Sequence, residues 1–145
     1  EDCFYLDTLL EEYGTSWGEA FKAYDHLQRP NGHAIADMAL ENFIEMRDKV
    51  GQQDFLFRKK VESELEKQMC DTYRARYGMV TYTLIPYQYV QEVGLIQQSI
   101  LEEICQGKNN LSDIDWDFAH ELVKKKYIPF MESRNLTIER YKASV

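Results

Sequence analysis

The chain has 145 residues, of which 44% are hydrophobic, and this is sufficient for one packed domain and argues against disorder. Its net charge of −8 argues against a nucleic-acid surface, because phosphate binding requires a basic face. The three cysteines, Cys3, Cys70 and Cys105, are widely spaced and odd in number, so neither a zinc site nor a disulfide framework is expected. Such free thiols suit a reducing cytoplasm.

Hydrophobic periodicity predicts a mainly α protein. Four helices are expected in the first half of the chain, at about 2–13, 16–29, 32–50 and 52–70. The first should end at Gly14, a usual helix C-cap, and the second should stop before Pro30. His33 would then lie near the start of the third helix.

The second half of the chain contains the one segment with strand character. Residues 79–85 are rich in β-branched and aromatic side chains, so at most one short strand is expected there. A fifth helix should run from Tyr87 to Gly107, and a turn should cover 111–115. The last helix should run from Trp116 to about Arg134, kinked or ended early by Pro129.

The third predicted helix places polar residues within an apolar face. One face carries, at helical spacing, Ile35, Met38, Ala39, Asn42, Glu45 and Met46. The opposite, solvated side carries Asp37, Glu41 and Asp48. Polar groups in an apolar face require hydrogen-bond partners, so Asn42 and Glu45 either satisfy a neighbouring backbone group or belong to a binding site.

The residues by themselves predict no reaction. The histidines His26, His33 and His120 lie far apart in sequence and have no partners at metal-binding spacing. No serine or cysteine stands in a nucleophile motif.

Several separate blocks, in order along the chain, carry a resemblance. They are Glu1-Asp2-Cys3 with Leu6, Leu9 and Leu10, then Arg29-Pro30, His33 to Asp37, Asn42 to Arg47, Phe55 to Lys60, Tyr77 to Tyr82, and Ile85 to Tyr87. In these blocks, and in the spacing from Asn42 to Tyr77, the chain resembles the kynurenine 3-monooxygenase family of FAD-dependent aromatic hydroxylases. The resemblance covers about the first two-thirds of the chain, and nothing beyond roughly Gln97 contributes to it.

The resemblance implies an NADPH-dependent enzyme that hydroxylates L-kynurenine to 3-hydroxykynurenine. It implies that Asn42 and Tyr77 bind the amino-acid end of the substrate, and an amide and a phenol are suitable donors to a carboxylate. Glu45 and Met46 would line the same pocket. No catalytic residue and no metal ligand is implied within this chain.

The resemblance also implies that residues Glu1, Asp2 and Cys3 lie next to FAD, at the end of the flavin motif. No G-x-G-x-x-G fingerprint occurs, and a whole flavin hydroxylase needs far more than 145 residues. We therefore expect a C-terminal fragment that is inactive alone and holds no FAD. Its region 1–107 would be the helical substrate-pocket region, and 108–145 a C-terminal helix and tail.

The expected partners are L-kynurenine and the upstream FAD domain of the same polypeptide, with self-association as another way to cover an apolar surface. No nucleic acid is expected, because the net charge is −8. No membrane is expected either, because the region from Asn109 to Val145, where some family members carry an anchor, is charged throughout. A cytoplasmic, bacterial protein is the expectation. Two alternatives stay open, namely a non-enzymatic acidic helical module that binds a partner protein, and a hydroxylase of another aromatic substrate.

Overall fold

The computed structural model describes residues 2–49 and 51–138, and every regular element in these two ranges is helical. The helices are α1 (Asp2–Tyr13), α2 (Trp17–Ile44), α3 (Gln53–Gln68), α4 (Arg76–Tyr82), α5 (Tyr87–Cys105), α6 (Trp116–Leu122) and α7 (Ile128–Ser133). A π-helical turn at Glu45–Lys49 extends α2, another at Val123–Tyr127 joins α6 to α7, and a 3₁₀ turn covers Leu111–Asp113. The mainly α prediction is therefore confirmed.

Glycines end two of the helices as the sequence predicts. Gly14 follows α1 with a φ of +57°, and its N–H donates to the carbonyl oxygen of Leu10 at 3.0 Å. Gly107 follows α5 with a φ of +69°. Only glycine adopts this left-handed conformation without a steric penalty, so each helix has a local signal for its end.

The predicted stop before Pro30 is wrong, because α2 continues through Pro30. His33 therefore lies within α2 and not near the start of a third helix, and its side chain is exposed. The buried side chain of Asn31 explains the continuity. Its Oδ1 accepts the backbone N–H of Gln88 at 3.2 Å, in the first turn of α5. Ala34 and Met38 are also buried on this side of α2, so packing outweighs the hydrogen bond that proline cannot make.

The strand character of residues 79–85 is also overridden, because α4 covers most of the segment. Met79 is fully buried in the core, and the Thr83 hydroxyl donates to its carbonyl oxygen at 2.7 Å. The backbone N–H of Ile85 lies 3.3 Å from the same hydroxyl. These local bonds satisfy groups that a strand would pair with a neighbour, and the described part of the chain contains no strand to pair with.

One hydrophobic core connects helices α2 to α7. Its largest fully buried members include Leu65 of α3, Ile100 of α5 and Tyr127 of the second π-helical turn. Pro129 lies in the first turn of α7, where a missing N–H costs least, and the π-helical turn before it is the expected break. The division at residue 107 stays a prediction, although this core includes residues from both sides of it.

Candidate functional site

The loop before α4 is tethered by side chains from three other segments. The backbone N–H of Arg74 lies 3.4 Å from the Tyr127 hydroxyl, and its carbonyl oxygen accepts Nε2 of Gln97 at 2.6 Å. The next N–H, of Ala75, donates to Oε1 of Glu66 at 3.3 Å. The starting point and direction of α4 are therefore fixed by α3, α5 and the second π-helical turn.

Two tyrosines form the buried side of this tether. The rings of Tyr73 and Tyr127 are nearly fully buried, with their centroids 5.0 Å apart. Burial raises the pKa of both phenols, and for Tyr127 the hydrogen bond from the Arg74 backbone acts in the opposite direction and is the smaller effect. Both phenols stay neutral at neutral pH, so their role here is structural.

An ion pair connects the beginning of α4 to the end of α2. Nη1 of Arg76 lies 2.7 Å from Oε2 of Glu41, and the Arg76 side chain is 26% exposed. Glu41 was expected on the solvated side of its helix, and this prediction is confirmed, because its side chain is 48% exposed. Glu41 follows Met38, the last buried residue of α2, by three positions, and its carboxylate reaches Arg76 from this exposed position.

The prediction that Asn42 lies within a buried apolar face is wrong, because residues 39–44 of α2 are all exposed. Ala39, Asn42 and Met46 are exposed, and the Met46 side chain is 62% exposed. Ile35 and Glu45 are partly buried. Met38 is the last buried residue of α2, so Asn42 is exposed because this end of the helix extends past the core.

The second predicted substrate-binding residue, Tyr77, is 74% exposed in the first turn of α4. The structure does not enclose Asn42 and Tyr77 in a cavity. It does join the segments that carry them, because Glu41 precedes Asn42 and Arg76 precedes Tyr77. Each predicted binding residue is therefore adjacent in sequence to one member of the same ion pair.

A partly open cleft of about 400 Å³ lies beside this ion pair, with walls from α2, α3, α4 and α5. Its charged lining includes Glu41, Glu45, Arg58, Glu62 and Arg76. Glu45 is thus the only one of the four predicted substrate-binding residues that lines the cleft. The lining mixes both signs of charge and has no nucleophile held by a base, so this cleft is suited to binding rather than to a reaction.

The residues predicted to lie next to the cofactor are the first three of the chain, Glu1, Asp2 and Cys3. Glu1 lies outside the described residues. Asp2 and Cys3 are exposed in the first turn of α1, a helix without buried residues.

Large apolar side chains are exposed along α1, α2 and the turn that follows α2. They include Phe4, Trp17, Phe21, Leu27, Leu40, Phe43 and Met46. A domain that stands alone rarely exposes so many large apolar side chains. Within the described ranges, no group of three or more histidine, cysteine or acidic residues is placed to hold a metal ion. No helix among the described residues has the length and apolarity required to cross a membrane.

Comparison with known proteins finds several enzymes of one name. The chain is 39% identical over 132 residues to kynurenine 3-monooxygenase of Myxococcus xanthus, which is 91% of this chain and 28% of that protein. It is 44% identical over 107 residues to the protein of the same name from Dictyostelium discoideum, covering 72% of this chain and 23% of that protein. The match to the Cytophaga hutchinsonii protein is 39% over 129 residues, or 88% and 28% of the two chains.

The chain therefore spans about a quarter of the length of the relatives that it matches. A match of 132 residues within 145 cannot end before Gln97, so the similarity extends beyond the blocks noticed in the sequence. No family model matches the chain. Because the relatives come from bacteria and from Dictyostelium, a bacterial origin stays a prediction.

Proposed function

We propose that this chain, a homologue of a segment of the kynurenine 3-monooxygenases, forms one wall of the substrate pocket in an enzyme that hydroxylates L-kynurenine. The observation that carries the proposal is the 39% identity over 132 residues to an enzyme of that name. Since the chain spans about a quarter of such relatives, the complete reaction requires the remaining polypeptide.

The exposed positions of Asn42 and Tyr77 support a role in a pocket that is only half present. Binding sites for small molecules bury most of the ligand surface, and two exposed side chains on adjoining helices supply only one wall. The Asn42 amide and the Tyr77 phenol would donate hydrogen bonds to the substrate carboxylate. Met46 offers an apolar thioether to an aromatic ring, and Glu45 adds a carboxylate at the edge of the cleft.

FAD, with NADPH as the source of electrons, would supply the oxygen-transfer chemistry of such an enzyme. The residues of this chain are suited to contact the edge of that cofactor but not to enclose it. Asp2 and Cys3 are exposed in the first turn of α1, where their side chains are accessible to a neighbouring group. The sequence has no glycine-rich dinucleotide fingerprint, so the residues that enclose the cofactor belong to the rest of the enzyme.

The alternative function is a helical module that binds another protein. The exposed aromatic residues of α1 and α2, including the contacting pair Trp17 and Phe21, favour a docking surface of some kind. That surface is equally consistent with an upstream domain of the same polypeptide. The sequence match favours the enzyme, and a hydroxylase of another aromatic substrate is the nearer alternative.

The test is expression of the full-length reading frame that contains this chain. The purified protein should contain FAD and should form 3-hydroxykynurenine from L-kynurenine with consumption of NADPH. A matched sample without kynurenine measures the NADPH oxidation that occurs without product. A flavoprotein that consumes NADPH yet hydroxylates a different aromatic compound, and not kynurenine, would contradict the proposed substrate. A protein without flavin would contradict the proposed function altogether.

A further inference from the structure

Gly94 lies in the interior of α5, directly beneath the side chain of Arg76. A Cβ atom on Gly94 would lie 2.6 Å from Cδ of Arg76 and 3.4 Å from its Nη1. Two other helical glycines, Gly18 and Gly32, would meet nothing within 4 Å if they carried a Cβ. Glycine within a helix costs about 0.5–1 kcal/mol relative to alanine. At Gly94 that cost has a local reason, because α5 could not otherwise approach Arg76 so closely.

Both ends of Arg76 are held. Its backbone follows the tethered loop, in which Ala75 is bonded to Glu66. Its guanidinium reaches Glu41 at 2.7 Å, across the surface of α5 at Gly94. A displacement of Cδ would therefore disturb the ion pair with Glu41, the placement of α4, or both.

We propose that Arg76, lying on Gly94 and paired with Glu41, is a positioning residue that sets the placement of Tyr77 relative to Asn42. The inference rests on the proposed function, since it deepens the role of that same substrate pocket. The Arg76–Glu41 pair joins the two turns from which Tyr77 and Asn42 project. The separation of the phenol and the amide therefore depends on this pair, and both groups must reach one substrate carboxylate.

Direct binding of the substrate by Arg76 is the competing role. The structure favours positioning, because Nη1 is already bonded to a carboxylate and the side chain is mostly buried. Because Nη1 is bonded to Glu41, a ligand carboxylate would have to bind Arg76 through Nε and Nη2 alone. The two roles differ in what the Glu41→Gln variant does, because it damages positioning but would free Arg76 for direct binding.

The first experiment is a double-mutant cycle in the full-length enzyme, measuring KM for L-kynurenine, kcat and FAD content. Gly94→Ala should raise KM about two- to five-fold with kcat and FAD content unchanged, a modest effect because partly exposed ion pairs contribute little. In an Arg76→Ala background the same Gly94→Ala change should have no further effect, since the obstructing Cδ is gone. Gly32→Ala, on an exposed helical position, is the matched control and should leave KM unchanged.

Glu41→Gln is a second test variant, which removes the negative charge of Glu41 and keeps the size of its side chain. It should raise KM by a similar factor, and Arg76→Ala should add little to it. If Glu41→Gln lowers KM for L-kynurenine and Arg76→Ala lowers kcat/KM by 100-fold or more, Arg76 binds the substrate directly. That result would overturn the positioning role. An equal effect of Gly94→Ala with and without Arg76 would overturn it as well.

Amide hydrogen exchange separates this inference from the proposed function. In the full chain, Gly94→Ala should accelerate exchange within Arg76–Tyr82 when Arg76 is present and should not do so in the Arg76→Ala background. If the exchange result holds and kynurenine is not hydroxylated, the contact is real but the proposed function fails. If kynurenine is hydroxylated and exchange in α4 is unchanged by Gly94→Ala, the positioning role fails alone.

Discussion

The substitution Tyr127→Phe tests the tether of α4 through the pH dependence of stability. At neutral pH the variant leaves the partly buried backbone N–H of Arg74 without its acceptor. A buried donor left unsatisfied costs about 1–3 kcal/mol, and the long 3.4 Å contact favours the lower half of that range. The variant should therefore lower the free energy of unfolding by about 1–1.5 kcal/mol at pH 7.

At alkaline pH the sign of the difference should reverse. Burial raises the pKa of the Tyr73 and Tyr127 phenols in the folded state above the ordinary value of 10.0. Above that value the unfolded chain loses these protons while the folded chain retains them, so stability falls as pH rises. Each retained proton lowers the free energy of unfolding by about 1.4 kcal/mol per pH unit. Because the variant retains one proton fewer, its stability should fall less steeply and should exceed that of the wild type above about pH 11.

Urea unfolding followed by circular dichroism between pH 7 and 11.5 measures both effects. Tyr82→Phe, which changes an exposed tyrosine of α4, is the matched control and should leave the stability unchanged at each pH. If Tyr127→Phe and the wild type lose stability with the same slope above pH 10, the buried neutral phenol is not the cause. The structural reasoning about the tether would then be wrong.

Three further predictions concern the site, the cofactor and the fold. In the full-length enzyme, Asn42→Ala and Tyr77→Phe should each raise KM for kynurenine by the equivalent of about 1–2 kcal/mol, with flavin content unchanged; normal KM values in both would refute the site assignment. The isolated chain should purify colourless and inactive, and flavin absorbance near one equivalent would contradict this. Asn31→Ala should lower the free energy of unfolding by about 1–2 kcal/mol, because Gln88 loses its acceptor, and thermal unfolding would measure it against Asn110→Ala at an exposed position.

The sequence predicted those features of the fold that depend on local conformation. Gly14 and Gly107 ended their helices because a left-handed residue is a local requirement. Pro30 was misleading because the reason for helix continuity, the bond from Asn31 to α5, spans 57 positions of the sequence. The same applies to Met79, whose burial in the core outweighs the β propensity of its neighbours.

The candidate site was predictable from resemblance to a family and not from the pattern of residues. Periodicity assigned Asn42 to the buried face, and it is exposed. Nothing in the pattern distinguishes Tyr77 from the other tyrosines. The contact of Gly94 with Arg76 was missed because it depends on how α4 crosses α5, and the only signal in the sequence is a glycine inside a predicted helix.

The hydrogen bond from the Arg74 backbone to Tyr127 has a consequence for shortened versions of the chain. A premature stop codon between Gly107 and Tyr127 removes none of the predicted pocket residues, yet it removes one of the three anchors of the loop before α4. It also exposes Tyr73, whose ring packs on Tyr127. Nonsense variants in this interval also remove core residues such as Met131, so they should lose stability together with the pocket, and domain boundaries chosen for expression should lie beyond α7.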